Sequence, residues 1–132
     1  MKYVIDTHAL IWFLEGNSRL GVKANAILSN PDSQLVIPAT TLAEAVWIVE
    51  RGKTSIPSAK NLLSVVESDL RVVIYPLDKD VIETTISLSA INEMHDRQIV
   101  ATALVLAGKG DEVQLLTCDS NISTSGLVPI IW

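Results

Sequence analysis

Short apolar runs alternate along the chain with longer stretches of helical spacing. Tyr3-Val4-Ile5 is aromatic and β-branched and too short for a helix, so it predicts a first strand that stops at Asp6. Ala9-Leu10-Ile11-Trp12-Phe13-Leu14 then reads as a helix, stopped by Gly16. Leu20, Ala24, Ile27 and Leu28 predict a helix over 21–29, and Asn30-Pro31-Asp32-Ser33 a turn. Leu35-Val36-Ile37 is a second strand ended by Pro38. A helix over 41–51 is closed by Gly52. Another over 58–68 carries Ala59, Leu62, Leu63 and Val66 on one face. Val72-Val73-Ile74-Tyr75 is a third strand. Residues 78–92 read as a helix with Asp78 as its N-cap. Residues 96–107 form a further helix closed by Gly108, and 113–117 and 128–131 are the last two strands.

Strands that alternate with helices predict a three-layer α/β domain around a mostly parallel sheet. The strands are continuous apolar runs, as expected where both sheet faces are covered. The chain has 132 residues, 48% of them hydrophobic, and no internal repeat or linker, which predicts one domain over 1–132. No apolar run reaches the roughly 18 residues of a membrane span. Asp6 and His8 interrupt the pattern a secretory leader needs. The lone Cys118 excludes an internal disulfide or a cysteine zinc cage, so a reducing cytoplasm is the expected home. The net charge of −5 argues against gripping nucleic acid through bulk charge. An acidic chain still acts on phosphodiesters if its acids cluster and hold divalent cations.

The acids fall at revealing places. Asp6 lies at the carboxyl end of a strand and the entry to a helix, the edge where open α/β sheets bind ligands. Asp119 follows Leu115-Leu116-Thr117-Cys118 and holds the equivalent place on another strand, although a turn aspartate is the plainer alternative. Glu44 sits in a helix that is apolar nearly all round. Its spacing from Thr41 also fits a capping box, and either reading puts it on the helix's first turn. Asp96 opens a helix, where an N-cap is the plain reading. Two ionised carboxylates ~4 Å apart repel by about 4 kcal/mol at an effective dielectric near 20. Four at one sheet edge therefore call for a proton or a cation. Oxygen-only donors suit Mg²⁺ or Mn²⁺ rather than zinc. Thr7 and Thr117 are candidate hydrogen-bond partners that orient these carboxylates. His8 and His95 are expected to be structural or solvent-facing. Trp12, Phe13, Trp47 and Trp132 are expected to be mostly core, although part of the Trp12 helix is apolar enough to meet a partner.

The chain resembles the PIN domains, and specifically the ribonuclease toxins of the VapC type. The resemblance rests on Val4-Ile5-Asp6-Thr7-His8-Ala9-Leu10-Ile11-Trp12 at the start and on Glu44 in an early helix. It continues in His95-Asp96-Arg97-Gln98-Ile99-Val100-Ala101-Thr102-Ala103, in Leu115-Leu116-Thr117-Cys118-Asp119, and in the ending Val128-Pro129-Ile130-Ile131-Trp132. No one of these is specific alone; four acids in order at the expected separations are. Many relatives carry another acid two residues after the fourth, where this chain has Asn121, which implies weaker or altered binding of a second metal.

The resemblance implies five parallel strands in the order 3-2-1-4-5 with Asp6 on the central one. It implies metal-dependent cleavage of RNA that leaves a 5′-phosphate and a 3′-hydroxyl. Homodimers and a cognate antitoxin that blocks the site are implied as well. Asp6, Asp96 and Asp119 would bind Mg²⁺ or Mn²⁺, with Glu44 as ligand or water-orienting base and Arg97 as an optional phosphate contact. A response-regulator receiver fits less well, because it wants paired acids after its first strand, and Lys79 and Lys109 are poorly placed. A haloacid-dehalogenase-type phosphatase wants Asp-x-Asp where this chain reads Asp6-Thr7-His8. The remaining alternative is a non-catalytic PIN-like binding module.

Overall fold

The computed structural model describes all 132 residues. Five strands, β1 (Lys2–Ile5), β2 (Gln34–Pro38), β3 (Val72–Tyr75), β4 (Val113–Leu116) and β5 (Ile130–Ile131), form one sheet. Every pairing is parallel and the order is β3-β2-β1-β4-β5, so β1 is central. The register sets Val4 beside Val36 and Leu115, and Ile5 beside Leu116.

That register explains the two cores. Successive side chains of a strand point to opposite faces. Val4, Val36 and Leu115 face one way, onto Val81, Leu88, Ile99, Val100 and Leu106. Ile5, Leu35, Ile37 and Leu116 face the other way, onto Ala9, Leu10, Leu28, Ala45, Leu62 and Val66. The first set packs under α5 (Lys79–Thr85) and α6 (Met94–Gly108). The second packs under α1 (Thr7–Glu15), α2 (Val22–Ser29), α3 (Ala39–Glu50) and α4 (Ala59–Ser68). Each fully buried Leu, Ile or Val contributes about 1.5–3 kcal/mol of transfer free energy. The three-layer α/β reading and the strand order 3-2-1-4-5 are both borne out.

Four local expectations need correction. The helix expected over 78–92 is only α5 (Lys79–Thr85), capped by Asp78, whose carboxylate accepts from the Val81 amide at 3.0 Å. In its last turn the hydroxyls of Thr84 and Thr85 donate to backbone carbonyls, as does Ser87 just beyond it, and the chain continues in turns. A short helix absent from the sequence reading, α7 (Ser120–Ser125), follows β4. The edge strand β3 is not covered on both faces, since Val73 and Ile74 are exposed. Trp47 is not core either: it is 57% exposed on the outside of α3, with the Arg51 guanidinium 4.5 Å from its ring centroid.

Two long-range ties fix the chain around this frame. The Arg71 guanidinium donates to the carbonyls of Leu28 and Asn30, both at 2.7 Å, and is held by Asp69. Gly21 lies against the C-terminal residue: a Cβ there would collide with the carbonyl carbon and indole of Trp132.

Candidate metal centre at the carboxyl edge of the sheet

The carboxyl ends of β1 and β4 open on a cleft of about 420 Å³, lined by Asp6, Thr7, Glu44, Glu93, Asp96 and Asp119 among others. Asp6 ends the central strand and caps α1, accepting from the Ala9 amide at 2.8 Å. Asp119 leaves β4 and caps α7, accepting from the Ile122 amide at 3.0 Å. In each case one carboxylate oxygen is committed to the helix and the residue is fixed at its N-terminus. The positive end of the helix dipole also favours the charge there.

Asp96 stands in the first turn of α6, and the plainer reading of it as the N-cap does not hold. The helix begins at Met94, and Glu93 accepts from the Asp96 amide at 2.8 Å. The Asp96 carboxylate is thereby released from capping. Glu44 is likewise not in a capping box. Helix α3 starts at Ala39, so Thr41 lies inside it and donates instead to the Ile5 carbonyl at 2.8 Å, joining α3 to the end of β1. Glu44 falls on the second turn rather than the first, and its carboxylate accepts from the Thr7 hydroxyl. The Thr40 hydroxyl donates to Gln98 at 2.7 Å, which ties α3 to α6 in the groove that adjoins the cleft at Glu44.

The electrostatics of the cleft are those of uncompensated acids. Asp6 is 8% exposed, and burial raises its pKa against the pull of the Thr117 hydroxyl and the Ala9 amide. Asp96 is pushed up to about 7, first by removal from water and then by the charges of Asp119, Glu93, Glu44 and Asp6. No Lys or Arg lies within salt-bridge distance of Asp6, Asp96 or Asp119. As the side chains stand, no three of the His, Cys, Asp and Glu groups gather into a closed ligand cage. The donors are nonetheless all oxygen, they come from separate elements around one open cleft, and no Lys or Arg pairs with them. That set fits a hard divalent cation such as Mg²⁺ or Mn²⁺.

The remaining predicted residues divide. Thr7 and Thr117 are buried beside the acids, and Thr117 accepts from the Asp119 amide at 3.1 Å. Asn121 is exposed on α7 and does not line the cleft. Arg97 turns away from the site: its guanidinium donates to the carbonyls of Ile91 and Ser89, pinning the turns after α5 onto α6. His8 is exposed at the rim, with its ring 5.3 Å from that of Trp12. His95 sits between acids, its Nδ1 2.7 Å from Glu93 and 3.5 Å from Glu44. Glu93 was missed by the sequence reading. Its signal was present, since a Glu three residues before Asp96 has the spacing of a cap on that amide.

A parallel α/β/α sandwich of this strand order, with carboxylates from four elements at the carboxyl edge of its central strands, defines the class. The PIN domain model matches residues 3–125, and the chain belongs to the PIN-domain family. No curated protein sequence matches at a significant level. Among solved structures the fold is similar to that of VapC20 from Mycobacterium tuberculosis, a sarcin–ricin loop cleaving toxin. The TM-score is 0.69 at 17% identity, over 96% of each chain. It is similar to VapBC2 from Rickettsia felis bound to a promoter DNA fragment, with TM-score 0.69 and 17% identity over 99% of this chain and 98% of that one. It also resembles a toxin–antitoxin complex from Klebsiella pneumoniae, with TM-score 0.68 and 17% identity over 98% and 96%.

Proposed function

We propose that the protein is a Mg²⁺- or Mn²⁺-dependent endoribonuclease and the toxin of a type II toxin–antitoxin pair. The observation that carries this reading is the meeting of Asp6, Glu44, Asp96 and Asp119 in one cleft with no Lys or Arg paired to any of them. Membership of the PIN-domain family and the fold shared with VapC20, a toxin that cleaves the sarcin–ricin loop, support it.

In this proposal Asp6, Asp96 and Asp119 hold the cation. When bound, it lowers the pKa of a water and offsets charge on the phosphodiester. Glu44, steadied by Thr7, accepts the proton of the water that attacks phosphorus in line. The helix N-termini behind Asp6 and Asp119 keep those carboxylates from swinging out of the cleft. Cleavage leaves a 5′-phosphate and a 3′-hydroxyl.

The proposed partners are an RNA substrate, a cognate antitoxin and a second copy of this chain. No helix of the protein is long and apolar enough to cross a membrane.

The reading is tested by incubating RNA with protein stripped by EDTA and then restored with Mg²⁺ or Mn²⁺. Cleavage that returns with the cation, giving 5′-phosphorylated products, is the expected result. Cleavage that persists in EDTA, or none under any cation, contradicts it.

A further inference from the structure

A cleft of acids is a poor grip for RNA. The chain carries a net charge of −5, and Asp6, Glu44, Glu93, Asp96 and Asp119 all line the cleft. A bound cation reverses the sign only where it sits. The strand to either side of the reacting phosphate has to be held by other groups.

The wall formed by α1 supplies them. His8 and Trp12 lie four residues apart on one face of that helix, and theirs are the only aromatic rings lining the cleft. Beyond Trp12 the surface continues into a second depression of about 250 Å³, where Asn17, Ser18 and Asn25 also form the lining. Trp12 is the residue common to both cavities.

The Trp12 ring is held in place. The indole of Trp132 meets it edge-on at 6.0 Å between centroids, and Trp132 is itself seated against Gly21. The Arg19 guanidinium stands 6.0 Å from the Trp12 centroid, at the outer limit of cation–π attraction. Arg19 is exposed, and no carboxylate lies within salt-bridge distance of it. Glu15, four residues before it, is engaged by the Ser55 amide at 2.8 Å.

An aromatic ring and an unpaired guanidinium at the exit of the cleft are the groups that hold single-stranded RNA. Bases stack on such a ring whatever their sequence, and the cation meets the backbone. An apolar peptide face fits this surface less well, because Asn17, Ser18 and Asn25 present amides and a hydroxyl to it. We infer that the RNA strand leaves the cleft over α1, with the base next to the reacting phosphate stacked on Trp12 and a phosphate beyond it held by Arg19. The inference rests on the RNA-cleaving reading of the cleft and deepens it by naming residues that grip the substrate.

The test is the binding of a fluorescein-labelled, mixed-sequence single-stranded RNA of about 20 nucleotides, followed by anisotropy in Mg²⁺. It is measured in the Asp6→Asn protein so that the RNA is not consumed. Adding Trp12→Leu is expected to weaken binding about 10-fold, and Trp12→Phe, which keeps a ring, to recover most of it. Adding Arg19→Gln is expected to lower the slope of log affinity against log salt by about 0.7, the share of one phosphate contact. Arg51→Gln removes the same charge outside the cleft and is expected to change neither. In the otherwise unaltered enzyme, Trp12→Leu is expected to raise KM more than it lowers kcat. Equal RNA affinity in the Trp12→Leu and Trp12 proteins would overturn the inference, as would equal salt slopes for Arg19→Gln and Arg51→Gln, or no RNA binding at all. If RNA binds through Trp12 and Arg19 but the parent cleaves none with Mg²⁺ or Mn²⁺, the nuclease reading falls and the binding surface stands.

Discussion

The Thr7 hydroxyl donates to the Glu44 carboxylate, tying the first residue of α1 to the second turn of α3. Thr7 is 3% exposed, and the contact holds an acid that lines both the cleft and the groove beside Trp47. Thr7→Val keeps the shape and removes the donor. It is expected to cost about 1 kcal/mol of stability and to lower RNA cleavage by about 10-fold or more, with Thr7→Ser recovering most of the rate. Single-turnover cleavage beside a melting curve checks it; equal rates for Thr7→Val and the parent would contradict the role.

The raised pKa values make a prediction about pH. Asp96 titrates near 7 in the folded chain and near 3.8 in the unfolded one, so between these values the folded state holds more protons. Stability of the metal-free protein therefore falls as pH rises through that window, and burial gives Asp6 the same sign. Asp69, held low chiefly by its hydrogen bond from Arg71, acts oppositely, and its contribution is lost only as pH falls below about 4. Melting in EDTA is expected to drop from pH 5 to pH 8, less so for Asp96→Asn, and Mg²⁺ is expected to raise the melting temperature more at pH 8 than at pH 5. A melting temperature in EDTA that climbs over this range would contradict the assignment.

Arg71 gives a stability prediction remote from the chemistry. Arg71→Ala leaves the carbonyls of Leu28 and Asn30 without their 2.7 Å partner and Asp69 without its cation. The expected cost is about 2 kcal/mol, seen as a lower denaturant midpoint, while cleavage per folded molecule stays within about twofold. Arg71→Lys recovers only part, because one ammonium does not reproduce the fork.

Gly21 has an ordinary negative φ of −60, so its need for glycine is spatial rather than conformational. Gly21→Ala drives a methyl into the backbone and ring of Trp132. The expected result is displacement of the C-terminal residue, read as a shift in tryptophan emission and about 1–3 kcal/mol of lost stability from overpacking. Unchanged emission and stability would show that Trp132 is not seated there.

Much of this was legible in the chain. Val4-Ile5 before Asp6 and Leu115-Leu116 before Asp119 place two acids at strand ends, because buried strands read as plain apolar runs. The roles of Asp96 and Glu44 were harder, since a cap and a site acid share the same spacing. The bonds from the Asp96 amide to Glu93 and from Thr41 to the Ile5 carbonyl remove the cap and the capping box. Helix α7 was hidden because Ser-Asn-Ile-Ser-Thr-Ser buries one side chain, Ile122, and shows no periodic apolar face. Trp47 looked like core because composition does not say which side of an apolar helix meets the sheet; the buried side is Thr41, Ala45 and Val49.

The central claim, that the acids of this cleft carry out metal-dependent RNA cleavage, is tested most directly by one comparison. Parent protein and Asp6→Asn, purified side by side free of other nucleases, are given the same RNA with Mg²⁺ or Mn²⁺. Asp6→Asn keeps an oxygen to cap α1, so the fold is expected to survive by melting and circular dichroism. The predicted result is cleavage by the parent and at least about 100-fold less by the variant. Cleavage by Asp6→Asn at the parent's rate would contradict the account.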